Sequence, residues 1–176
     1  MKRGPGRRVL GKEGGRTGSY QARDAEFMMK AIEVAAMGVK KGNSPFGSCI
    51  AMDGEVVAAA HNTVLARKDA TDHAEMNAIR LACRRLSSHK LDGCVIYSTT
   101  EPCPMCFSAI HWAGIKAIVF GTGIADVKRL GFSELTISDV EMKRRGHSKV
   151  AITKGYMREE CLALLKMWKG GKARTY

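Results

Sequence analysis

Apolar positions recur with a helical period in some segments of the chain and form short continuous runs in others. The first helical segment is expected to begin at Asp24, a good N-cap, and to end at Lys40-Lys41-Gly42, a typical helix stop. Its apolar positions share one helix face: Phe27, Ala31, Val34, Ala35 and Val39. Two apolar runs then follow at 47–52 and 55–60, and the Asp53-Gly54 pair between them predicts a β-hairpin.

The rest of the chain alternates predicted helices with predicted strands. The expected helices cover 71–85, 102–113 and 158–169, and the expected strands cover 94–99, 115–120 and 150–153. Thr71-Asp72 is the expected cap of the first of these helices, and Pro102 or Pro104 opens the second. This alternation predicts an α/β domain with helices on both faces of its sheet, although residues 121–149 show no clear pattern.

Length and charge indicate one folded domain with a basic N-terminal segment. A chain of 176 residues suits a single domain, expected at 24–176, with a C-terminal helix and tail at 155–176. Residues 1–23 are rich in glycine, lysine and arginine and are expected to form a flexible basic tail. The net charge of +12 permits a nucleic-acid partner such as tRNA, and a solvated basic surface explains it equally well.

The distribution of apolar residues bears on the cellular compartment. We find no run of about 20 apolar residues, the length of a membrane-spanning helix, and no apolar segment behind the basic N-terminus that would make a signal peptide. We therefore expect a cytoplasmic protein with no membrane partner. There, six cysteines favour metal binding or buried thiols over disulfides.

Two short motifs carry the chemistry: His73-Ala74-Glu75 and Pro102-Cys103-Pro104-Met105-Cys106. Two cysteines separated by two residues can grip one metal ion, and His73 would supply a third ligand. Both motifs fall at predicted helix N-termini, where free amide groups favour thiolates. Three protein ligands with an open fourth position are typical of catalytic zinc, and Glu75 is then placed to move protons as a general acid and base.

These motifs resemble the cytidine deaminase-like superfamily of zinc deaminases, whose signature is His-x-Glu followed by Pro-Cys-x-x-Cys. The resemblance runs from about residue 25 to at least residue 132. It implies a three-layer α/β/α sandwich with a central mixed five-stranded sheet, a resident Zn²⁺, hydrolytic deamination of a nucleobase, and a homodimer. Two readings without catalysis stay open: a redox cysteine pair, and a structural zinc in an RNA-binding or assembly module.

The resemblance extends to two branches of the superfamily. Asn62, His73–Met76 and Glu101–Cys106 match patterns that bacterial tRNA adenosine deaminases and guanine deaminases share. Pro45-Phe46-Gly47 and Trp112-Ala113 resemble guanine deaminases, because the tRNA enzymes usually carry a more basic segment at the second position. We therefore favour a small purine substrate, guanine, which would be converted to xanthine. The alternatives are wobble adenosine of tRNA, converted to inosine, and other nucleosides or nucleobases.

The resemblance also implies roles for individual residues. Asn62 is expected to bind the ring and Phe46 or Trp112 to stack on it, with Asp126 as a further substrate-binding residue and the Cys103 backbone amide beside the reacting carbon. Glu134 follows Gly131-Phe132, where guanine deaminases carry two acidic residues, the second of them a proton shuttle. This chain has Ser133 and a longer glutamate there, which changes the reach of the carboxylate.

The C-terminal segment resembles a site-closing segment of the guanine deaminases. In that branch the segment often crosses to the partner subunit and ends in aromatic residues, which Trp168 and Tyr176 resemble. The remaining cysteines have no partner at metal-ligand spacing and are expected to be small buried hydrophobes. These are Cys49, Cys83, Cys94 and Cys161.

Overall fold

A computed structural model describes residues 17–171 and residue 175. Its helices are α1 (Thr17–Lys40), α2 (Val64–Arg67), α3 (Ala74–Leu86), α4 (Pro104–Trp112), α5 (Ile124–Lys128), α6 (Asp139–Arg145) and α7 (Arg158–Lys169). Its strands are β1 (Gly47–Met52), β2 (Glu55–His61), β3 (Val95–Thr100), β4 (Ala117–Thr122) and β5 (Ala151–Lys154). Among these residues, no helix is both long enough and apolar enough to cross a membrane.

The five strands form one mixed sheet in the order β2-β1-β3-β4-β5. Strand β1 is antiparallel to both β2 and β3, whereas β3, β4 and β5 run parallel. The β1–β2 turn has positive φ at both Asp53 and Gly54, as a two-residue hairpin turn requires. The predicted hairpin and the mixed five-stranded sheet are therefore confirmed.

Two hydrophobic clusters lie on opposite faces of the sheet. Ile50, Ile96 and Ile118 point into the cluster that α3 and α4 cover. Their chain neighbours point the other way, into the cluster that α1 and α7 cover, because side chains alternate along a strand. These are Cys49, Tyr97 and Val119. The result is the expected three-layer α/β/α sandwich.

The sequence placed several element boundaries wrongly. Helix α1 begins at Thr17, and Asp24 lies inside it, where its carboxylate accepts a hydrogen bond from the Tyr97 hydroxyl. Helix α3 begins one residue after His73, so Thr71-Asp72 does not cap it. The unassigned stretch 121–149 contains α5 and α6. Residues 1–16 of the proposed tail, and Tyr176, lie outside the described residues.

The chemical motifs lie at one end of the central strands of the sheet. The parallel strands β3 and β4 end there, and β1 begins there, since it runs the opposite way to β3. Gly47 opens β1 under α1, where a Cβ atom would lie 2.1 Å from the Ala31 carbonyl oxygen. The missing side chain lets α1 approach the sheet directly behind Phe46, which precedes the strand.

Candidate active site

The three sequence-predicted metal ligands meet at the N-termini of two helices. His73 is the N-cap residue of α3, and Cys103 is the N-cap residue of α4, with Pro104 at the first helical position. Cys106 lies one turn further along α4 and is fully buried. Proline opens α4 at little cost because the first amides of a helix have no internal partner.

The distances between the donor atoms fit a tetrahedral metal ion. The Cys103 and Cys106 sulfurs are 3.7 Å apart, and each lies 3.6 Å from Nδ1 of His73. Tetrahedral Zn²⁺ with its usual bond lengths requires ligand separations of roughly 3.5–3.8 Å. Within the described residues, these three form the only group of His, Cys, Asp and Glu side chains that converges in this way. The residues present therefore fit zinc, with three protein ligands.

Glu75 lies beside this cluster and is buried. Its Oε2 accepts a long hydrogen bond of 3.4 Å from the Cys106 thiol, so the carboxylate faces the metal position from the first turn of α3. Burial raises the pKa of Glu75, although nearby His73 opposes the shift. A buried carboxyl group with a raised pKa next to a metal site is suited to take up and return protons.

The pKa values of the two ligand thiols shift in opposite directions. The hydrogen bond between the two sulfurs lowers the pKa of Cys103 to about 4 against the effect of burial, and His73 adds to the shift. The same hydrogen bond, together with burial, raises the pKa of Cys106. Because zinc binds thiolates, binding must release the proton of Cys106, so zinc affinity falls at acid pH.

A pocket opens from the metal ligands, and several predicted substrate-binding residues line it. Phe46, Asn62 and Glu134 lie in its wall together with His73, Glu75 and Cys103. Asn62 is fully buried, and its Oδ1 accepts a 3.1 Å hydrogen bond from the Val64 amide. Burial raises the pKa of Glu134 as well, with a further contribution from Cys103. The pocket thus combines an aromatic ring, an amide and three carboxyl groups, those of Glu75, Glu101 and Glu134, around one metal position.

Sequence reasoning missed two carboxyl groups behind this pocket. Glu101 lines the pocket, and its oxygens accept hydrogen bonds from the backbone amides of Ile124 (3.3 Å) and Asp139 (3.0 Å). Asp139 is fully buried, and neither of its carboxylate oxygens has a hydrogen-bond partner within the described part of the chain. The sequence could have indicated Glu101, because it directly precedes the Pro102-Cys103 motif. Asp139 lies in the stretch 121–149, which shows no clear pattern.

The structure places Trp112 and Asp126 away from the pocket. Trp112 is the last residue of the nine-residue helix α4, whereas Cys103 is the N-cap residue at its other end. The Trp112 side chain is 73% exposed and packs edge-on against His111. Asp126 accepts a hydrogen bond from the Gly123 amide and pairs with Arg129 and Arg158. Neither side chain lines the pocket of its own chain. Cys49, Cys94 and Cys161 are free and buried, as expected, and Cys83 is half-buried.

The sequence and the site together identify the family. A family model for the cytidine and deoxycytidylate deaminase zinc-binding region matches residues 21–122, more than half of the chain. The protein therefore belongs to this family of zinc-dependent deaminases. It is an enzyme of the class that hydrolyses a C–N bond, and its cofactor is Zn²⁺.

Individual relatives fall into the two branches that the motifs indicated. The chain is 41% identical to guanine deaminase of Bacillus subtilis over 109 residues, which cover 61% of this chain and 70% of the relative. It is 33% identical to the tRNA-specific adenosine deaminase of Bacillus subtilis over 142 residues, covering 81% and 86%. A structure of guanine deaminase from Nitrosomonas europaea superposes with a TM-score of 0.76 at 27% identity, covering 93% of this chain and 88% of that one.

Removal of one ligand tests the metal site. We expect the wild-type protein to carry one zinc ion per chain and the Cys103→Ala variant to lose most of it, because two remaining ligands do not hold zinc tightly. The matched control is Cys83→Ala, which removes a free cysteine far from the motif. Elemental analysis of the purified proteins gives the readout. Equal zinc content in both variants would contradict the assignment.

The buried Asp139 predicts a specific pH dependence of stability. Burial, followed by the charge of Glu101, raises the pKa of Asp139 to about 8, so between pH 4 and 8 the folded state keeps a proton that the unfolded state has lost. Stability falls with rising pH in this window, and Asp139→Asn should remove that fall. The unfolding free energy of the variant relative to wild type should rise by roughly 5 kcal/mol from pH 4 to pH 8, because each pH unit between the unfolded and folded pKa values changes stability by about 1.4 kcal/mol.

Urea titrations at several pH values measure this difference. The same change at the exposed Asp92 serves as the control and should leave the pH profile unchanged. A constant difference between Asp139→Asn and wild type across the window would show that Asp139 is ionised in the folded protein.

Proposed function

We propose that this enzyme deaminates guanine to xanthine, releasing ammonia. The observation that carries this proposal is the pocket itself, where Phe46, Asn62 and a second carboxyl group, Glu134, surround the metal ligands. A planar purine suits an aromatic wall, and an amide side chain offers both a donor and an acceptor to a ring edge. The identity to a guanine deaminase supports the same substrate.

The proposed mechanism assigns each residue a task at a stated atom. His73, Cys103 and Cys106 hold zinc, which supplies a Lewis acid that makes hydroxide available near neutral pH. Phe46 stacks on the base, and Asn62 hydrogen-bonds its ring. Glu75 takes a proton from the attacking water and passes it to a ring nitrogen. It then takes the proton of the hydroxyl group formed at the attacked carbon and gives it to the amino group, so that the C–N bond breaks and ammonia leaves.

Two further groups assist this sequence. The Cys103 backbone amide, at the start of α4, is proposed to donate a hydrogen bond to the oxygen that gains negative charge at the carbon under attack. Glu134 is proposed as the second proton carrier, close to the leaving amino group. Burial raises the pKa of both glutamates, which favours the protonated form of each carboxyl group and its use as a proton donor.

The second candidate function is conversion of wobble adenosine to inosine in tRNA. The similarity to a tRNA-specific adenosine deaminase spans 81% of this chain, compared with 61% for the guanine deaminase relative. The net charge of +12 is also favourable for a polyanion. A second cavity, lined by Pro104, Met105 and Leu135, shares His73, Cys103 and Glu134 with the first and offers space outside the base pocket.

Oligomeric state and location complete the proposal. We expect a homodimer in the cytoplasm, as the resemblance to the superfamily implies. Three large apolar side chains on the face formed by α3, α4 and α6 are exposed in the single chain, and an interface would cover them. They are Leu81, Trp112 and Val140.

Ammonia release from a panel of guanine, guanosine, adenosine, cytosine and cytidine tests the proposed function. We expect guanine to be the best substrate of the zinc-loaded protein. Glu75→Gln should lower kcat by about 10²–10⁴-fold, since the amide cannot carry protons, while zinc stays bound. The matched control, Glu55→Gln, changes an exposed glutamate on β2 and should retain full activity.

A tRNA arm of the same experiment separates the two candidates. Inosine formation at the wobble position, with binding that weakens steeply as salt rises, would favour the tRNA enzyme over guanine. Turnover of neither tRNA nor any member of the panel by zinc-loaded wild type would rule out both. An unchanged function of Glu75→Gln would favour a zinc-stabilised module without catalysis.

A further inference from the structure

The pocket residue Glu134 lies on a segment with little support of its own. Residues 131–138, between α5 and α6, contain neither helix nor strand. Phe132, only 3% exposed, is the one buried residue among these eight. Because a segment without regular structure depends on its side chains for position, Phe132 is the anchor that holds Glu134, two residues away, at the pocket wall.

The ring of Phe132 lies between two other aromatic rings. Its centroid is 4.9 Å from that of Phe46 and 5.1 Å from that of Trp168, with which it stacks at an interplanar angle of 28°. Trp168 lies on the last turn of α7 and is 5% exposed. The three rings therefore form a continuous row from the C-terminal helix to the pocket.

Helix α7 is itself fixed on the same side of the molecule. At its start, Arg158 pairs with the buried Asp126 at 2.8 Å, and Asp126 caps α5, the helix that precedes the Glu134 segment. Near its end, Leu165 joins Trp168, Phe132 and Phe46 in one hydrophobic cluster. Both ends of α7 thus contact elements that border the segment.

We propose that Trp168 is a positioning residue for Glu134, acting through Phe132. Trp168 does not line the pocket. It holds the Phe132 ring in place, and Phe132 in turn holds the chain segment that places the Glu134 carboxyl group at the pocket wall. This inference rests on the proposed deaminase function for its kinetic consequence. Phe46 does not need the same support, because its backbone amide donates to Ser44 and its carbonyl accepts from Asn62.

The kinetic test compares three variants of the full-length, zinc-loaded protein. Trp168→Ala should lower kcat by about 10–100-fold, the range expected when a catalytic group is displaced by about 1 Å. KM should change much less, since Phe46 and Asn62 keep their places. Trp168→Phe, which preserves a ring against Phe132, should recover most of the loss. Leu164→Ala is the matched control: this residue of α7 is 4% exposed but lies outside the aromatic cluster.

A second readout does not depend on turnover. A glutamate-specific protease cleaves after Glu134 only when the segment opens, and mass spectrometry identifies the cleaved bond. Native-state cleavage there should be about 2–10-fold faster in Trp168→Ala than in Leu164→Ala, corresponding to the loss of one aromatic pair.

The two readouts distinguish the positioning role from general stability and from the reaction itself. Equal kcat and equal cleavage in Trp168→Ala and Leu164→Ala would overturn the inference, as would faster cleavage with unchanged kcat. If wild type turns over neither guanine, the other bases nor tRNA, the proposed function fails. Cleavage after Glu134 then still decides whether Trp168 anchors the segment.

Discussion

The convergence of one imidazole and two thiols on a point is the constraint on which the rest of the site depends. The donor atoms of these residues are separated by 3.6 to 3.7 Å, as zinc binding requires. These separations are kept only if the N-termini of α3 and α4 hold a fixed distance and orientation relative to each other. The sheet provides that relation: α3 follows β2 after the short helix α2, α4 follows β3, and both helices pack into the hydrophobic cluster on one face of the sheet. A small shift of either helix would separate His73 from the cysteines.

Burial of charge is the second consequence of this arrangement. Glu75 and Asp139 are buried and Glu101 is half-buried, all three near a pair of thiols, and burial raises the pKa of both Glu75 and Asp139. An uncompensated carboxylate is costly away from water, so such groups persist where a metal ion, a proton or a substrate balances them. Glu101 is balanced in part by two backbone amides.

The packing of the C-terminal helix bears on the resemblance to the guanine deaminase branch of the family. The sequence suggested a site-closing segment like that of the guanine deaminases, which often crosses to a partner. Here α7 packs on its own chain, and Trp168 stacks on Phe132, which also contacts the pocket residue Phe46. The row of rings links the C-terminal helix to the pocket.

Local patterns in the sequence determined the five strands, most of the longer helices, the hairpin at Asp53-Gly54 and the three metal ligands, because turn residues, ligand spacing and periodicity act over a few positions. The resemblance to the deaminase superfamily suggested Asn62, Phe46 and Glu134, which line the pocket with Glu75. Tertiary structure alone decided that Trp112 is exposed, that Asp126 forms ion pairs, and that Asp139 is buried without a partner. The reason is physical: burial and pairing depend on which distant elements pack together, and no short-range pattern encodes that distance.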